Sequence, residues 1–263
     1  LEYEWDSPIW RPWIDAFSSE YSFVRMDQRA GGLSDRDATD ISLEAWVRDL
    51  EAVIDAAGLE RTALFGHSQG AAIAMAFARQ HPERVSHLVL LGAYARGWQR
   101  RGLPPARLEE LEAQLKLVEA GWERQDAPYR QMYAVQIIPG GSLEQLNALN
   151  ELQRVSAEPA AAARIMRTMA GLDVTPVASA LRVPTLVPHA RGDRRAPFEE
   201  GRRLAGVIPD ARFVPLESEN HILLAQEPAF RQFFEALRGF VVGASAAPSP
   251  LLAGLTAREV EIL

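Results

Sequence analysis

The sequence predicts an α/β fold, in which a mostly parallel sheet is flanked by helices. Two observations predict it. Short apolar segments with the length of strands alternate along the chain with amphipathic helical patterns. One such segment, His87–Leu91, is almost continuously apolar, as expected for a parallel strand that is buried on both faces. The chain has 263 residues, of which 48% are hydrophobic, which is enough to cover such a sheet.

Five strands are predicted in chain order, at Ser22–Asp27, Thr62–Phe65, His87–Leu91, Val183–Val187 and Arg212–Leu216. Helices are predicted at about residues 42–57, 71–78 and 228–240. In the first of these helices, apolar residues recur at spacings of three and four and so share one face: Leu43, Trp46, Val47, Leu50, Val53 and Ile54. Gly58 is predicted to end that helix.

The stretch from about residue 97 to 180 interrupts this alternation. It is mainly helical in pattern, with one apolar stripe formed by Leu108, Leu111, Leu115 and Val118. It falls between the third and fourth predicted strands. An insertion there lies over the carboxyl ends of the strands, where open α/β sheets bind ligands. We therefore predict a helical cap.

Composition excludes several classes of function. The formal net charge of −7 argues against binding nucleic acid or an anionic membrane by charge alone. The chain has no cysteine, which excludes disulfides, thiolate metal sites and a cysteine nucleophile, and which fits a cytoplasmic location. No apolar run is long enough to span a bilayer. The histidines are scattered and no phosphate-binding glycine motif occurs, so neither a metal nor a cofactor is predicted.

The motif Gly66-x-Ser68-x-Gly70 is the strongest indication of chemistry. It lies between a predicted strand and a helix of small residues. A serine nucleophile on a tight, strained turn needs glycines on both sides, because side chains there would clash. Ser68 is the predicted nucleophile, and the backbone N–H of Gln69 is the predicted oxyanion donor.

A serine hydroxyl needs a base, and five histidines are available: His67, His81, His87, His189 and His221. His221 lies in a polar loop after the last predicted strand, where the chain order of nucleophile, acid and histidine places the base. The acid should follow an earlier strand. Asp193 meets that condition, while Asp173 and Glu217 are alternatives. Its task would be to orient His221.

Five large side chains of the predicted cap admit two interpretations. They line an apolar pocket for an acyl group, or they form the core of the cap: Trp98, Trp122, Met132, Met166 and Met169.

Four motifs together resemble those of the α/β-hydrolase superfamily, and the resemblance covers nearly all of residues 1–242. They are Asp27-x-Arg29-x-x-Gly32-x-Ser34, Gly66-His67-Ser68-Gln69-Gly70, Ala190-Arg191-Gly192-Asp193 and Glu219-Asn220-His221. Ala30 departs mildly from the pattern, since the superfamily often has glycine there. The resemblance implies a catalytic triad of Ser68, His221 and Asp193.

The same resemblance implies that N-terminal strands are missing. Family sheets carry about three strands ahead of Ser22–Asp27, and the loop after one of them supplies the second oxyanion N–H. The sequence of residues 1–21 lacks that loop. We therefore expect the segment to begin just downstream of it and to be a poor catalyst, because losing one donor costs about a hundredfold to a thousandfold in rate.

The composition changes after residue 242. Residues 243–254 read as a flexible linker. Residues 255–263 open with a capping box, Thr256 and Glu259, and resemble the start of a truncated LuxR-type helix-turn-helix domain. Together these features resemble bacterial transcriptional regulators that join an α/β-hydrolase domain to a DNA-binding domain. That resemblance implies contact with DNA only through the C-terminal domain, and a homodimer as one option.

These patterns and resemblances support two hypotheses about function. The first is a serine hydrolase that acts on an ester-like or other acyl substrate. The second is a catalytically weak sensor, in which a small ligand bound in the pocket controls DNA binding. A dehalogenase or an epoxide hydrolase is disfavoured, because those enzymes use an aspartate where this chain has Ser68. A cofactor-free haloperoxidase, which uses a similar triad, stays open.

Overall fold

A computed structural model describes residues 2–124 and 128–241. Its four strands form one parallel sheet in the order β1-β2-β3-β4. The strands are β1 at Thr62–His67, β2 at Val85–Leu91, β3 at Thr185–Ala190 and β4 at Arg212–Leu216. Sequential strands are neighbours in the sheet, so the predicted α/β class and the parallel arrangement are confirmed.

Ten α-helices lie in the described ranges: α1 at Trp10–Ser18, α2 at Leu43–Ala56, α3 at Gly70–Gln80, α4 at Pro105–Gly121, α5 at Pro128–Ile137, α6 at Leu143–Ser156, α7 at Pro159–Gly171, α8 at Thr175–Ser179, α9 at Phe198–Val207 and α10 at Pro228–Val241. Short 3₁₀ helices occupy Glu2–Asp6, Pro82–Arg84 and Trp98–Arg100. None of these described helices is both long and apolar enough to cross a membrane.

Local signals set the limits of α2. The Ser42 hydroxyl accepts a hydrogen bond from the Ala45 N–H and so caps the first turn. Gly58 follows the helix with φ of 64°, a conformation that glycine adopts without strain. The predicted start and end of this helix are therefore confirmed.

Helices cover the sheet on both faces. On one face, α2 and α3 form a core around Trp46, Met75 and Phe77, all of which are fully buried. On the other face, α1 and α10 form an aromatic core around Trp13 and Phe233. This two-sided packing explains why β2 and β3 are almost entirely buried and mainly apolar.

One predicted strand is wrong. Ser22–Asp27 is not a strand, because its backbone pairs with no other strand in the described part of the chain. β1 is the edge of the described sheet, so a ladder partner is lacking on that side. The segment is held through side chains instead, and the Phe23 ring stacks on Phe17 with centroids 4.6 Å apart.

Other predictions differ in extent. The strand predicted at Val183–Val187 begins later and ends later, at Thr185–Ala190. Helices α1 and α9 were not predicted.

Between β2 and β3, helices α4–α8 form the cap, as expected for about residues 97–180. The linker at 243–254 and the DNA-binding segment at 255–263 lie outside the described residues, as does the domain boundary at 242.

Candidate active site

Ser68 occupies a strained turn between β1 and α3. Its φ is 53°, in the left-handed region that residues other than glycine rarely adopt. Its N–H donates to the Leu91 carbonyl at the end of β2, over 2.9 Å. The surrounding sheet therefore holds the strained backbone in place. Strain of this kind accumulates at functional sites, where it fixes a reactive side chain.

The two glycines of the motif have different roles. A Cβ at Gly66 would lie 2.7 Å from the Ala71 Cα, so only glycine fits there. A Cβ at Gly70 would meet nothing within 4 Å. The expectation that both glycines avoid a clash is therefore right for Gly66 and wrong for Gly70. The turn is tight on the strand side alone, because only a Cβ at Gly70 would point into open space.

His221 and Asp193 form a buried hydrogen-bonded pair. Their atoms Nδ1 and Oδ2 are 2.6 Å apart, and the Asp193 carboxylate is completely buried. A carboxylate can only accept, so His221 Nδ1 carries the proton and Nε2 is left as the basic atom. Asp193 thus holds His221 in the tautomer that a general base requires.

The loop after β3 holds Asp193 itself. Its Oδ1 accepts hydrogen bonds from the N–H groups of Arg195 and Ala196, each over 2.8 Å. Burial by itself would raise the pKa of the Asp193 carboxyl. Electrostatic attraction to His221 and the hydrogen bonds from His221 and Ala196 outweigh burial, so the pKa of Asp193 is lowered. Asp193 is therefore ionised at neutral pH.

The alternative acids lie elsewhere. Asp173 accepts a hydrogen bond from the Thr175 N–H, over 2.9 Å. Glu217 has a largely exposed side chain that pairs with Arg191 over 2.6 Å. Neither has a hydrogen bond or ion pair with His221, so the geometry favours Asp193.

Ser68, Gln69 and His221 line one cavity, with a volume of about 810 Å³. His221 Nε2 is buried and has no hydrogen-bond partner within residues 2–124 and 128–241. The structure thus brings Ser68 and the basic nitrogen to one cavity, without a direct hydrogen bond between them. Gln69 stands at the N-cap of α3, where backbone N–H groups have no acceptor within the helix. Its side-chain amide donates to Gln28 Oε1 over 2.9 Å.

Two other histidines adjoin the pair, a feature that the sequence analysis did not anticipate. The His67 ring lies 4.7 Å from the His221 ring, and its Nε2 is 3.0 Å from the His221 carbonyl oxygen. Burial, reinforced by the charge of His221, lowers the pKa of His67 to about 3. His67 is therefore neutral and donates to that carbonyl. His189 is fully buried, 3.7 Å from Asp193 Oδ2, and burial lowers its pKa.

The backbone of the histidine loop is fastened to the cap. The His221 N–H donates to the Ile137 carbonyl at the end of α5, over 2.8 Å. The Asn220 Oδ1 accepts from the Gly140 N–H over 2.8 Å, and Asn220 is buried. The cap therefore takes part in positioning His221 as well as in covering the cavity.

Gly92 is a further site residue that the sequence analysis missed. It follows β2 with φ of 57°, and a Cβ there would lie 2.9 Å from His221 Cε1. The glycine makes room for the imidazole ring. The sequence signal that could have identified Gly92 was its position directly after a buried strand.

The cap supplies most of the apolar wall. Five large side chains of the cap were predicted either to line an acyl pocket or to form the core of the cap. Four of them line the cavity: Trp98, Trp122, Met166 and Met169. Met132 does not, since it is exposed on the surface. Trp122 and Met169 are also buried among cap and core residues, so each interpretation is partly right. No cluster of metal-ligating side chains occurs within the described residues.

Comparison with known proteins agrees with this geometry. The family described as the alpha/beta hydrolase fold matches residues 5–228. The RutD protein of Azorhizobium caulinodans, named as a carbamate hydrolase, is 30% identical over 88% of this chain and 85% of its own. The protein YisY of Bacillus subtilis, named as a member of the AB hydrolase superfamily, is 29% identical over 76% of this chain and 75% of its own.

Solved structures show the same fold. An α/β hydrolase from a Medee basin deep-sea metagenome library superposes with a TM-score of 0.72 at 18% identity, covering 93% of this chain and 89% of its own. An esterase from Exiguobacterium antarcticum superposes with a TM-score of 0.71 at 24% identity, covering 82% of this chain and 79% of its own. The fold, the family match and the relatives agree: this chain belongs to the α/β-hydrolase fold family and is an α/β-hydrolase enzyme.

Proposed function

We propose that the protein is a serine hydrolase that cleaves an acyl substrate through Ser68, His221 and Asp193. The observation that carries this proposal is the buried Asp193–His221 hydrogen bond of 2.6 Å, beside the cavity that Ser68 lines on its strained turn. Such an arrangement serves nucleophilic catalysis, because the acid orients the base and the base activates the hydroxyl.

The proposed reaction has two steps. Ser68 Oγ attacks the acyl carbon while His221 Nε2 takes the hydroxyl proton, and the Gln69 N–H stabilises the resulting oxyanion. The bond to the leaving group breaks as His221 returns the proton to it, leaving an acyl-serine. Water then attacks the acyl-serine with His221 again as base, which releases the acid and restores Ser68.

The substrate class is an ester, thioester, lactone or related acyl compound. The apolar cap wall favours a hydrophobic acyl group, since ligand pockets bind mainly through apolar contact with a few fixed polar groups. The naming of RutD as a carbamate hydrolase adds carbamates to this class.

A fluorophosphonate probe tests the proposal. We expect one covalent adduct on Ser68, detected by peptide mass spectrometry and absent in Ser68→Ala. His221→Ala should slow labelling strongly, and Asp193→Asn should slow it by about 10⁴-fold through the wrong tautomer. Ser19→Ala, on an exposed serine at the end of α1, is the matched control and should label normally. A folded wild-type protein that stays unlabelled would contradict the assignment.

The sequence of residues 255–263 supports a second candidate, a sensor that regulates DNA binding. In this proposal, a ligand in the Ser68 cavity changes the affinity of a C-terminal helix-turn-helix domain for DNA. DNA binding by the natural gene product would be measured with and without a compound that occupies the cavity. Unchanged DNA affinity at saturating compound would exclude the sensor function.

A further inference from the structure

Five arginines line the cavity, and they fall into two groups. Three of them form ion pairs with carboxylates: Arg36 with Glu158, Arg107 with Glu110 and Arg194 with Glu219. The other two, Arg101 and Arg195, have no carboxylate within ion-pair distance among the described residues. The cavity therefore contains two positive charges that the protein does not neutralise directly.

Arg101 comes from the loop between β2 and the cap. Its Nε donates to the Arg96 carbonyl over 2.9 Å, which fixes the side chain. Its guanidinium carbon lies 4.9 Å from the centroid of the Tyr94 ring. Stacking occupies the face of a guanidinium and leaves the in-plane N–H groups free. The Nη groups of Arg101 are thus available to an acceptor in the cavity.

Arg195 comes from the loop after β3, two residues beyond Asp193. Its guanidinium carbon lies 4.7 Å from the centroid of the Tyr133 ring, which belongs to α5 of the cap. Its side-chain N–H groups have no acceptor within residues 2–124 and 128–241. The backbone of Arg195 is held at the same time, because its N–H donates to Asp193. Both arginines are therefore partly buried and stacked on a tyrosine ring, Arg101 being held through Nε and Arg195 through its backbone.

The electrostatics agree with this geometry. Burial lowers the pKa of Arg101, Glu200 and Tyr94 oppose this effect, and the charges of Arg195 and Arg96 lower the pKa further. The charge of Arg195 therefore acts on Arg101, as expected for two guanidinium groups that line one cavity. An anion that reaches both groups would offset their mutual repulsion.

The acidic residues of the lining do not supply that anion. Glu4 forms an ion pair with Arg25, and the Asp27 carboxylate accepts the Leu33 N–H over 3.0 Å. Glu2 is exposed. None of the three forms an ion pair with Arg101 or Arg195.

We propose that the substrate carries a carboxylate, which Arg101 and Arg195 bind while the scissile acyl group reaches Ser68. This inference rests on the proposed hydrolase function and narrows its substrate class. The cap contributes apolar side chains to the cavity wall, with Leu111, Ile165 and Met166 among them. The substrate is therefore a hydrophobic acyl compound with one anionic end.

Binding can be measured without turnover. In the Ser68→Ala protein, calorimetry would compare 4-phenylbutyrate with its neutral amide, 4-phenylbutyramide. The two ligands differ in charge and hardly in shape. We expect the carboxylate to bind at least about tenfold more tightly, because charge-assisted hydrogen bonds to arginine are about twice as strong as neutral ones. Raising the salt concentration should reduce the difference.

Variants of the two arginines test whether these residues cause the difference in affinity between the carboxylate and the amide. Arg101→Gln and Arg195→Gln, each in the Ser68→Ala protein, should each lower the carboxylate preference about tenfold. Affinity for the amide should stay within about twofold, which reports that the cavity is intact. Arg101→Lys and Arg195→Lys keep the charge without the planar fork and should retain part of the preference. Arg79→Gln, on the exposed end of α3, is the matched control and should leave both affinities unchanged.

Equal affinities for the two ligands in the Ser68→Ala protein would overturn the inference, as would failure of the carboxylate to bind at millimolar concentration. A preference that survives in the double variant Arg101→Gln, Arg195→Gln would overturn it too. None of these outcomes depends on catalysis. Fluorophosphonate labelling of Ser68 therefore separates a failure of this inference from a failure of the proposed function.

Discussion

At the residue scale, the position of His221 depends on the absence of a side chain at Gly92. The imidazole lies where a Cβ of residue 92 would be, and φ of 57° disfavours any other residue. Asp193 holds the same edge of the ring through Nδ1, since a Cβ at residue 92 would also lie 3.1 Å from Nδ1 and 3.6 Å from Asp193 Oδ2. The His221–Asp193 hydrogen bond therefore lies directly beside the Gly92 backbone.

Replacing Gly92 with alanine should displace the histidine. We expect Gly92→Ala to slow fluorophosphonate labelling of Ser68 by about a hundredfold, since a displacement of 1 Å can cost that much in rate. Gly102→Ala is the control, because Gly102 has a similar φ of 69° but a Cβ there meets nothing within 4 Å. Both variants carry the backbone strain of about 1–2 kcal/mol, and only the first carries the clash. Equal labelling rates in the two variants would refute the role of Gly92.

His67 makes stability depend on pH. Its pKa falls from 6.5 to about 3 in the folded protein, so the unfolded chain binds the extra proton between these values. The free energy of unfolding should therefore be highest above pH 6.5 and decrease on acidification toward pH 3. The slope from this group is up to about 1.4 kcal/mol per pH unit.

Urea unfolding of the wild type and of His67→Gln, between pH 7 and pH 4, measures this contribution. Glutamine can still donate to the His221 carbonyl but does not titrate. The variant should show a shallower dependence on pH than the wild type. Parallel curves would show that His67 is not the group responsible.

At the element scale, the cap and the sheet share the histidine loop. The end of α5 accepts the His221 N–H, and Gly140 donates to Asn220 just beyond that helix. The cap is thus joined to the histidine loop by hydrogen bonds as well as by apolar packing around Ile138 and Ile222. A structural change in the cap should therefore alter the position of His221 through these hydrogen bonds.

Asn220→Ala tests this connection. Removing Oδ1 deletes the bond from Gly140, at a cost of about 1 kcal/mol in stability. We expect labelling of Ser68 to slow by about fivefold, because the loop is less firmly held. Asn147→Ala is the control, since Asn147 is exposed on α6. If the two variants label at the same rate, Asn220 does not position the base.

At the scale of the whole molecule, the aromatic core between α1 and α10 holds the described fold together. The Trp13 ring packs against five phenylalanines with centroids 5.0 to 6.0 Å apart: Phe17, Phe65, Phe230, Phe233 and Phe234. Its indole N–H donates to the Leu223 carbonyl over 3.0 Å. This cluster joins the first helix to the last one and to β1.

Trp13→Ala should therefore lower the free energy of unfolding by about 3–5 kcal/mol, the cost of emptying a large buried site. Leu33→Ala, at a position that is 74% exposed, should change it by less than about 0.5 kcal/mol. Chemical denaturation monitored by circular dichroism measures both. A small effect of Trp13→Ala would mean that α1 is not part of the cooperative core.

Local patterns were sufficient to predict much of this protein. Helices α2, α3 and α10 and all four strands were predicted from periodicity and apolar runs, with β3 shifted along the chain, because each buries a face that the sequence displays directly. Helices α1 and α9 were missed. Trp10, Trp13, Ile14 and Phe17 of α1 have helical spacing that was overlooked, and in α9 charged residues separate Phe198 from the buried Leu204. Ser22–Asp27 has the composition of a strand and lacks only a partner, which composition does not reveal.

The candidate site was likewise predicted in part from the sequence. The sequence by itself determined the candidates Ser68, Asp193 and His221, because a strained turn, the loops after strands and their chain order leave local signatures. Tertiary structure decided that Asp193 contacts His221, that His67 donates to the same loop, and that Gly92 makes room for the ring. It also decided that Arg101 and Arg195, alone among the cavity arginines, have no carboxylate at ion-pair distance within the described residues. Those properties depend on distances between segments remote in the chain, and such distances are set by packing rather than by any local pattern.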